Sequence, residues 1–180
     1  MRRSLGALAC LGSLAALSTP ALAAGAAEAP AAPAVRPAAP FAAPTPAGGV
    51  GTAEENEVVR LTNARRQQGG CRALTHDPYL RRAAYDHSRD MAVNNYFSHT
   101  SKDGRTAIDR IRAAGFTGAR RWAENIAWGQ RTPSAVVTAW MNSSGHRANI
   151  MNCAYTHIGV GMAKKSDGTP YWTQNFAARQ

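Results

Sequence analysis

Two short segments of alternating apolar and polar residues close the sequence, and they restrict the fold more than any other feature. They are residues 157–163 and residues 171–176, and the Ser-Asp-Gly-Thr sequence at 166–169 between them is typical of a turn. The pattern predicts a β-hairpin at the C-terminal end. Segments with helical periodicity come before it, and helices followed by strands predict an α+β domain.

The helical segments are marked by their ends. Glycines 69 and 70 stop the first segment, and Asp77-Pro78 and Thr132-Pro133 each place a capping side chain before a proline at the first helical position. The predicted helices cover residues 53–68, 77–95, 106–114 and 132–142, with one or two further turns over residues 146–153.

The first 52 residues have the composition of segments that lie outside a folded domain. Residues 1–23 combine a basic start, an apolar run and a small-residue cleavage site, which predicts a signal peptide and a secreted, extracellular or periplasmic protein. The apolar run is too short to span a bilayer, so we expect no transmembrane segment. Residues 24–52 are rich in Ala and Pro and are predicted to be a disordered linker. Residues 53–180 suffice for one domain, which we expect to be a monomer.

The charge balance restricts the partners. The chain has a formal net charge of +10, and its arginines are scattered without a long run. A basic surface suits binding to anionic envelope polymers, lipid head groups or nucleic acid. Alternatively, the charged side chains only keep the helix surfaces solvated. We expect an anionic envelope polymer as a potential partner and no nucleic acid.

Two cysteines remain once Cys10 is removed with the leader. Cys71 and Cys153 would then reach an oxidising compartment, so we predict that they form a disulfide bond. The alternative is a free catalytic thiol with a histidine partner.

Three polar residues in separate segments are candidates for a functional site. They are His99 in a polar turn, Glu124 within an apolar run, and His146 after a helix break. If they meet, two imidazoles and a carboxylate could bind zinc or act as base and acid, and no local spacing decides whether they do.

The other histidines and the missing motifs narrow the choice of site residues and of enzyme classes. His87 falls on the apolar stripe of the second helix and is predicted to be a packed, hydrogen-bonded core residue, and His76 and His157 are predicted to lie on the surface. The sequence has no His-Glu-x-x-His helix, Gly-x-Ser-x-Gly elbow, phosphate loop or Cys-x-x-Cys pair, so several large enzyme classes lose their strongest signatures.

Five segments in order resemble the bacterial members of the CAP superfamily, which comprises cysteine-rich secretory proteins, antigen five and pathogenesis-related proteins and is also called the SCP domain. The segments are residues 97–100 (Phe-Ser-His-Thr), 123–127 (Ala-Glu-Asn-Ile-Ala), 140–150, 157–161 and 171–174.

The resemblance implies an α-β-α sandwich with a small antiparallel sheet between helices. It also implies that His99, Glu124 and His146 converge in a central cleft, and that Cys71 and Cys153 are linked. The supporting residues would be Asn125, Trp140, Arg147 and Asn149. Animal and plant members carry a second glutamate shortly after the helix tryptophan; here the sequence is Trp-Met-Asn-Ser, so that acid is missing.

Three functions follow from the resemblance and the residues together. The leading hypothesis is an exported ligand-binding domain whose His/Glu cleft holds a divalent metal, such as zinc, or a small amphiphile, such as a lipid or sterol. The first alternative is a metal- or His/Glu-assisted hydrolase of peptides or envelope polymers, with Glu124 as base. The second alternative is a cell-surface interaction module. The sequence leaves open whether the protein is an enzyme.

Overall fold

The computed structural model describes residues 49–179, and it confirms the α+β class. The predicted signal peptide and most of the predicted linker lie outside the described residues. The helices are α1 (Ala53–Gln68), α2 (Pro78–Val93), α3 (Ala107–Ala113), α4 (Pro133–Asn142) and α5 (Ser144–Ile150). The strands are β1 (Thr75–His76), β2 (Arg121–Trp128), β3 (His157–Lys164) and β4 (Pro170–Ala178).

The four strands form one sheet in the order β1-β3-β4-β2. The predicted C-terminal hairpin is β3 and β4, which pair antiparallel, and β2 pairs antiparallel with the other side of β4. The resemblance implied an antiparallel sheet, and β1 is an exception because its two residues pair parallel with β3. The longest strands are therefore adjacent, and β2 lies at an edge.

Helices cover both faces of the sheet, which confirms the α-β-α sandwich. One face packs against α1, α4 and α5 through a core whose members include Val58, Val136, Trp140, Ile150, Ile158, Trp172 and Phe176. The other face packs against α2 and α3, with Leu80, Ala83, Ile111, Phe116 and Ala177 in its core. Alternate residues of β4 serve the two cores, because successive side chains of a strand point to opposite faces.

Two glycines of β3 allow α2 to lie directly on the sheet. A Cβ atom on Gly159 would lie 2.1 Å from the carbonyl carbon of Leu80, and one on Gly161 would lie 2.1 Å from the backbone nitrogen of Tyr85. The Ser88 hydroxyl of α2 reinforces the contact, since it lies 3.0 Å from the Gly161 carbonyl oxygen. Any side chain at either position would push the helix off the sheet.

We therefore expect Gly161→Ala to lower the free energy of unfolding by about 1–3 kcal/mol or more, the usual cost of overpacking. Urea denaturation followed by circular dichroism measures this. Gly145→Ala is the matched control: Gly145 lies in α5 with open space around its Cβ position, so alanine there should be neutral or slightly stabilising. A loss below about 0.5 kcal/mol for Gly161→Ala would contradict the close packing of α2 on β3.

The outer edge of β2 is covered by side chains of α4 and of the loop after α5. Trp140 Nε1 donates to the Ile126 carbonyl at 3.2 Å, and the Tyr155 hydroxyl donates to the Trp122 carbonyl at 3.2 Å. These bonds satisfy backbone groups that an edge strand would otherwise present to another chain. They also fix α4 beside β2, where the candidate site lies.

The predicted disulfide bond between Cys71 and Cys153 is present, with Cα atoms 5.0 Å apart. It links the loop after α1 to the loop after α5, and it leaves no free thiol at either position. The buried Arg66 guanidinium lies nearby and donates to the carbonyl oxygens of Ile150, Asn152 and Tyr155. The end of α5 is therefore held both covalently and by hydrogen bonds.

His76 and His157 were predicted to lie on the surface, and both are instead partly buried. His76 Nδ1 donates to Asn56 Oδ1 at 3.0 Å, and His157 packs edge-on against the Phe116 ring. His76 is the second residue of β1, and His157 is the first residue of β3. Their burial comes from tertiary contacts with Asn56 and Phe116, which the local sequence does not reveal. Burial, aided by the charge of Arg81, lowers the pKa of His76 to about 4.

This lowered pKa predicts an acid-sensitive stability. The unfolded chain binds a proton at His76 near pH 6.5, and the folded protein does so only near pH 4, so stability falls as the pH drops between those values. His76 contributes at most about 3 kcal/mol of this loss. Urea denaturation at pH 7 and pH 4.5 should show a smaller drop for His76→Gln than for the unchanged protein. An equal drop in both, or the same reduction in a His157→Gln control, would contradict the assignment.

Within residues 49–179, none of the helices combines the length and the apolar character needed to cross a membrane.

Candidate functional site

Two of the three candidate residues form a direct hydrogen bond. His99 lies in the loop after α2, and its Nδ1 donates to Glu124 Oε1 of β2 at 2.8 Å. The two side chains differ sharply in exposure, since the His99 side chain is 54% exposed and that of Glu124 is 3% exposed. The pair therefore joins a buried carboxylate to an imidazole at the surface.

A buried arginine completes the environment of the carboxylate. The Arg110 guanidinium of α3 donates to Glu124 Oε2 at 2.7 Å and to the His99 carbonyl at 3.0 Å. It also donates to the Ser101 hydroxyl at 3.0 Å and to the Arg105 carbonyl at 2.9 Å. Arg110 thus holds both partners of the His99–Glu124 pair and the loop that carries His99. Sequence reasoning missed it, because an arginine in a short helix is usually solvated.

His87 lies behind the same carboxylate and is fully buried, as predicted for a core histidine. Its Nε2 donates to the Ser98 carbonyl at 2.9 Å and lies 4.0 Å from Glu124 Oε1. Burial is the main cause of its lowered pKa, which the charge of Glu124 only partly offsets. The His87 imidazole is therefore neutral near pH 7, with the proton on Nε2.

Glu124 is ionised in this environment. Burial alone would raise its pKa, but the hydrogen bond from His99 and the charge of Arg110 outweigh burial, so the pKa of Glu124 lies below its ordinary value. The amide of Asn175, oriented with its nitrogen toward the carboxylate, adds a donor 3.2 Å from Oε2. Both carboxylate oxygens are thus engaged within the protein.

His146, the third candidate, meets His99 across a cleft of about 540 Å³ at the outer edge of β2. The cleft is lined by the loop after α2, by β2 and the residue Gln130 beyond it, and by α4 and α5: Phe97, Ser98, His99, Ile126, Ala127, Trp128, Gln130, Ala139, Trp140, Ser143 and His146. Burial, and then the charge of His99, lower the pKa of His146. Glu124 does not line the cleft, and it acts there only through His99.

Exposed aromatic side chains also line the cleft. Phe97 is 46% exposed and Trp128 is 55% exposed, with their ring centroids 6.4 Å apart. Trp128 also stacks on Tyr171 at 6.3 Å. Tyr96 and Phe97 come just before the polar turn that carries His99, and two aromatics at such a position predict core packing. Phe97 lies instead on the cleft wall, because α2 ends before it and the chain turns at Asn95, whose φ is +52°.

The residues proposed as supporting the site differ in what they do. Asn125 is buried and donates to the His146 carbonyl at 3.2 Å, and Asn149 donates to Asn125 Oδ1 at 2.9 Å. Trp140 lines the cleft and bonds β2. Arg147 is exposed, and its side chain makes no hydrogen bond or ion pair with the part of the chain that the structure describes. Three of the four therefore position the site.

The donor set fits a metal ion only in part. In residues 49–179, no group of three or more His, Cys, Asp or Glu side chains is arranged to hold one. Glu124 faces Arg110, and the stretch of residues 140–143, where the resemblance would place the second glutamate of the animal and plant members, contains no acid. The cleft thus offers two imidazoles, and Glu124 orients the ring of His99 from behind.

Comparison with known proteins gives the same family as the resemblance seen in the sequence. Residues 59–176 match the model of the CAP family, described as the cysteine-rich secretory protein family. Over 128 residues the chain is 44% identical to the uncharacterized protein YkwD of Bacillus subtilis (strain 168), covering 71% of this chain and 48% of YkwD. It is 40% identical to the uncharacterized membrane protein YlbC of the same organism, covering 71% of this chain and 35% of YlbC. The chain spans about half or less of these curated relatives.

Solved structures show the same fold. One is an extracellular protein containing an SCP domain from Bacillus anthracis strain Ames, with a TM-score of 0.65 and 35% identity over 71% of this chain and 40% of that one. Another is an outer surface protein from Borrelia burgdorferi, with a TM-score of 0.65 and 23% identity over 71% of this chain and 93% of that one.

Proposed function

This chain belongs to the CAP family of cysteine-rich secretory proteins, and on that premise we propose that it is an exported domain whose cleft binds a small amphiphile. The observation that carries the proposal is the mixed lining of the cleft. Exposed aromatic rings of Phe97 and Trp128 line the same cleft as the imidazoles of His99 and His146. Exposed aromatic surface beside a few convergent polar groups is typical of a ligand site.

The aromatic rings of Phe97 and Trp128 would hold the apolar part of the ligand. Large exposed aromatic side chains lose water-accessible area when a chain or ring packs on them, and each contributes about 1–3 kcal/mol when buried. Ile126, Ala127 and Trp140 continue this apolar wall into the cleft. The volume of about 540 Å³ lies within the range of small-molecule sites.

The two histidines would hold the polar head. Glu124 accepts from His99 Nδ1, which orients the ring and leaves Nε2 to bond the ligand. His146 has a lowered pKa and offers a neutral imidazole. A carboxylic acid or hydroxyl head group could bond to both rings.

A divalent ion is a second candidate occupant beside the two histidines. His99 would offer its Nε2 to zinc, because Glu124 orients the ring through Nδ1. His99 and His146 would be the protein ligands, and zinc bound there would act as a Lewis acid toward a ligand head group. Two protein ligands make a weaker site than the usual three or four.

The geometry does not favour Glu124 as the base of a hydrolase. Its two oxygens already accept from His99 and Arg110, and its lowered pKa makes it a weak base at neutral pH. The hydrolase hypothesis would have to assign the base role to a histidine.

Two observations support export. The Cys71–Cys153 disulfide bond is typical of proteins that fold in an oxidising compartment. The similar solved structure from Bacillus anthracis is that of an extracellular protein.

Titration of the full chain with dodecanoate, followed by tryptophan fluorescence, tests the proposal. We expect saturable binding that Trp128→Ala weakens about tenfold or more, because one well-packed aromatic contact contributes at least about 1.4 kcal/mol. Trp122→Ala is the matched control, since Trp122 is 43% exposed but lies outside the cleft.

Equal losses in the two tryptophan variants would show nonspecific adsorption and overturn the proposal. The absence of saturable binding would do the same for the amphiphile. Zinc calorimetry on the unchanged protein and on the His99→Gln, His146→Gln double variant then decides whether the cleft holds a metal, with His157→Gln as the control outside the cleft.

A further inference from the structure

A second cavity, of about 220 Å³, lies between α2, α3 and the loop that joins them. Its lining includes six ionisable side chains, Arg82, Asp86, His87, Asp90, Arg105 and Arg110. None of these residues lines the cleft, although His87 and Arg110 lie against Glu124. The cavity is thus a separate, strongly polar space with charges of both signs.

Two buried atoms of residues that line the cavity have no hydrogen-bond partner in the described part of the chain. They are His87 Nδ1 and Arg110 Nε. His87 Nε2 donates to the Ser98 carbonyl, so its Nδ1 carries a lone pair and requires a donor. Arg110 Nε carries a proton and requires an acceptor. Buried polar groups without partners are rare and costly, and an occupant that both donates and accepts would satisfy both atoms.

The other lining residues also include one unpaired positive and one unpaired negative side chain. Arg82 and Asp86 are exposed on successive turns of α2, and neither side chain forms an ion pair with a residue in 49–179. Asp90, one turn further, accepts from Asn94 and from the Tyr96 hydroxyl. Arg105 pairs with Asp103. An unpaired guanidinium and an unpaired carboxylate therefore accompany the unpaired donor and acceptor.

We propose that this cavity is a binding site for a small zwitterion, such as a free amino acid or a dipeptide. The carboxylate of the ligand would accept from Arg110 Nε and pair with Arg82. The ammonium group would donate to His87 Nδ1 and pair with Asp86. A simple anion would leave His87 Nδ1 without a donor, and a simple cation would leave Arg110 Nε without an acceptor. The proposal rests on different residues from those that carry the amphiphile site.

Nuclear magnetic resonance of the ¹⁵N-labelled full chain tests the proposal, with glycine and alanyl-alanine as probes and acetate and methylammonium as half-ligands. We expect saturable shifts of the His87 imidazole and Arg110 Nε resonances with the zwitterions. We expect Arg82→Gln and Asp86→Asn each to weaken binding about tenfold or more, which corresponds to the loss of one charged contact. Arg89→Gln and Asp167→Asn remove the same charges outside the cavity and should have no effect.

Each other outcome overturns the assignment. No saturable shift would mean that water alone serves His87 and Arg110. Binding of acetate as tight as that of glycine would indicate an anion site. Zwitterion binding unchanged by Arg82→Gln and Asp86→Asn would place the site elsewhere. Trp128→Ala, which weakens the amphiphile site, should leave zwitterion binding unchanged, so the two proposals can fail separately.

Discussion

Replacing Arg110 with methionine is expected to lower the free energy of unfolding by about 3–5 kcal/mol, the usual cost of leaving one partner of a buried ion pair uncompensated. The change keeps the apolar stem but removes the donors to Glu124, to Ser101 and to the His99 and Arg105 carbonyls. Denaturation by guanidinium chloride at pH 7 measures the loss.

Two comparisons separate this effect from a general effect of the substitution. Arg112→Met changes an exposed arginine of the same helix and should alter stability by less than about 0.5 kcal/mol. Adding Glu124→Gln to Arg110→Met should restore part of the loss, because the unpaired charge is then removed. A loss for Arg110→Met that matches the loss for Arg112→Met would show that Arg110 does not organise the site.

Removing the disulfide bond with Cys71→Ala and Cys153→Ala is expected to cost about 2–5 kcal/mol. The bond joins residues 82 apart in sequence, so it closes a long loop and removes much chain entropy from the unfolded state. Thermal and denaturant unfolding of the double variant and of the chemically reduced protein should agree.

A neutral double variant would contradict this prediction and would show that Arg66 alone holds the end of α5. Arg66 donates to three carbonyls of that region, so this outcome has a physical basis. Combining the cysteine substitutions with Arg66→Met measures how much of the free energy of unfolding depends on the disulfide bond, on Arg66 and on the coupling between them.

Much of the fold was predictable because its signals are local. Capping residues followed by proline began α2 and α4 at Pro78 and Pro133, and alternation with a turn identified β3 and β4. Strand β2 was not identified, because residues 124–127 in its middle are buried on both faces and Glu124 and Asn125 interrupt the apolar run. Strand β1 has two residues, too few for any periodicity.

The site was predictable only through resemblance to the CAP superfamily. His99, Glu124 and His146 come from a loop, a strand and a helix, and their meeting depends on tertiary packing that no spacing encodes. Arg110 was missed because its partners lie up to 14 residues away and a charge in a helix is usually solvated. The exposure of Phe97 was missed because aromatic residues after a helix usually join the core.

The most direct test of the cleft asks whether one amphiphile contacts both its aromatic and its histidine side chains. In the ¹⁵N-labelled full chain titrated with dodecanoate, we expect the Trp128 indole and the His99 and His146 imidazoles to shift together with one dissociation constant. Trp122 and His76, outside the cleft, should not move. Shifts at Trp128 alone, with both histidines unchanged, would contradict the account, because the ligand would then bind the aromatic surface without using the site that Glu124 and Arg110 organise.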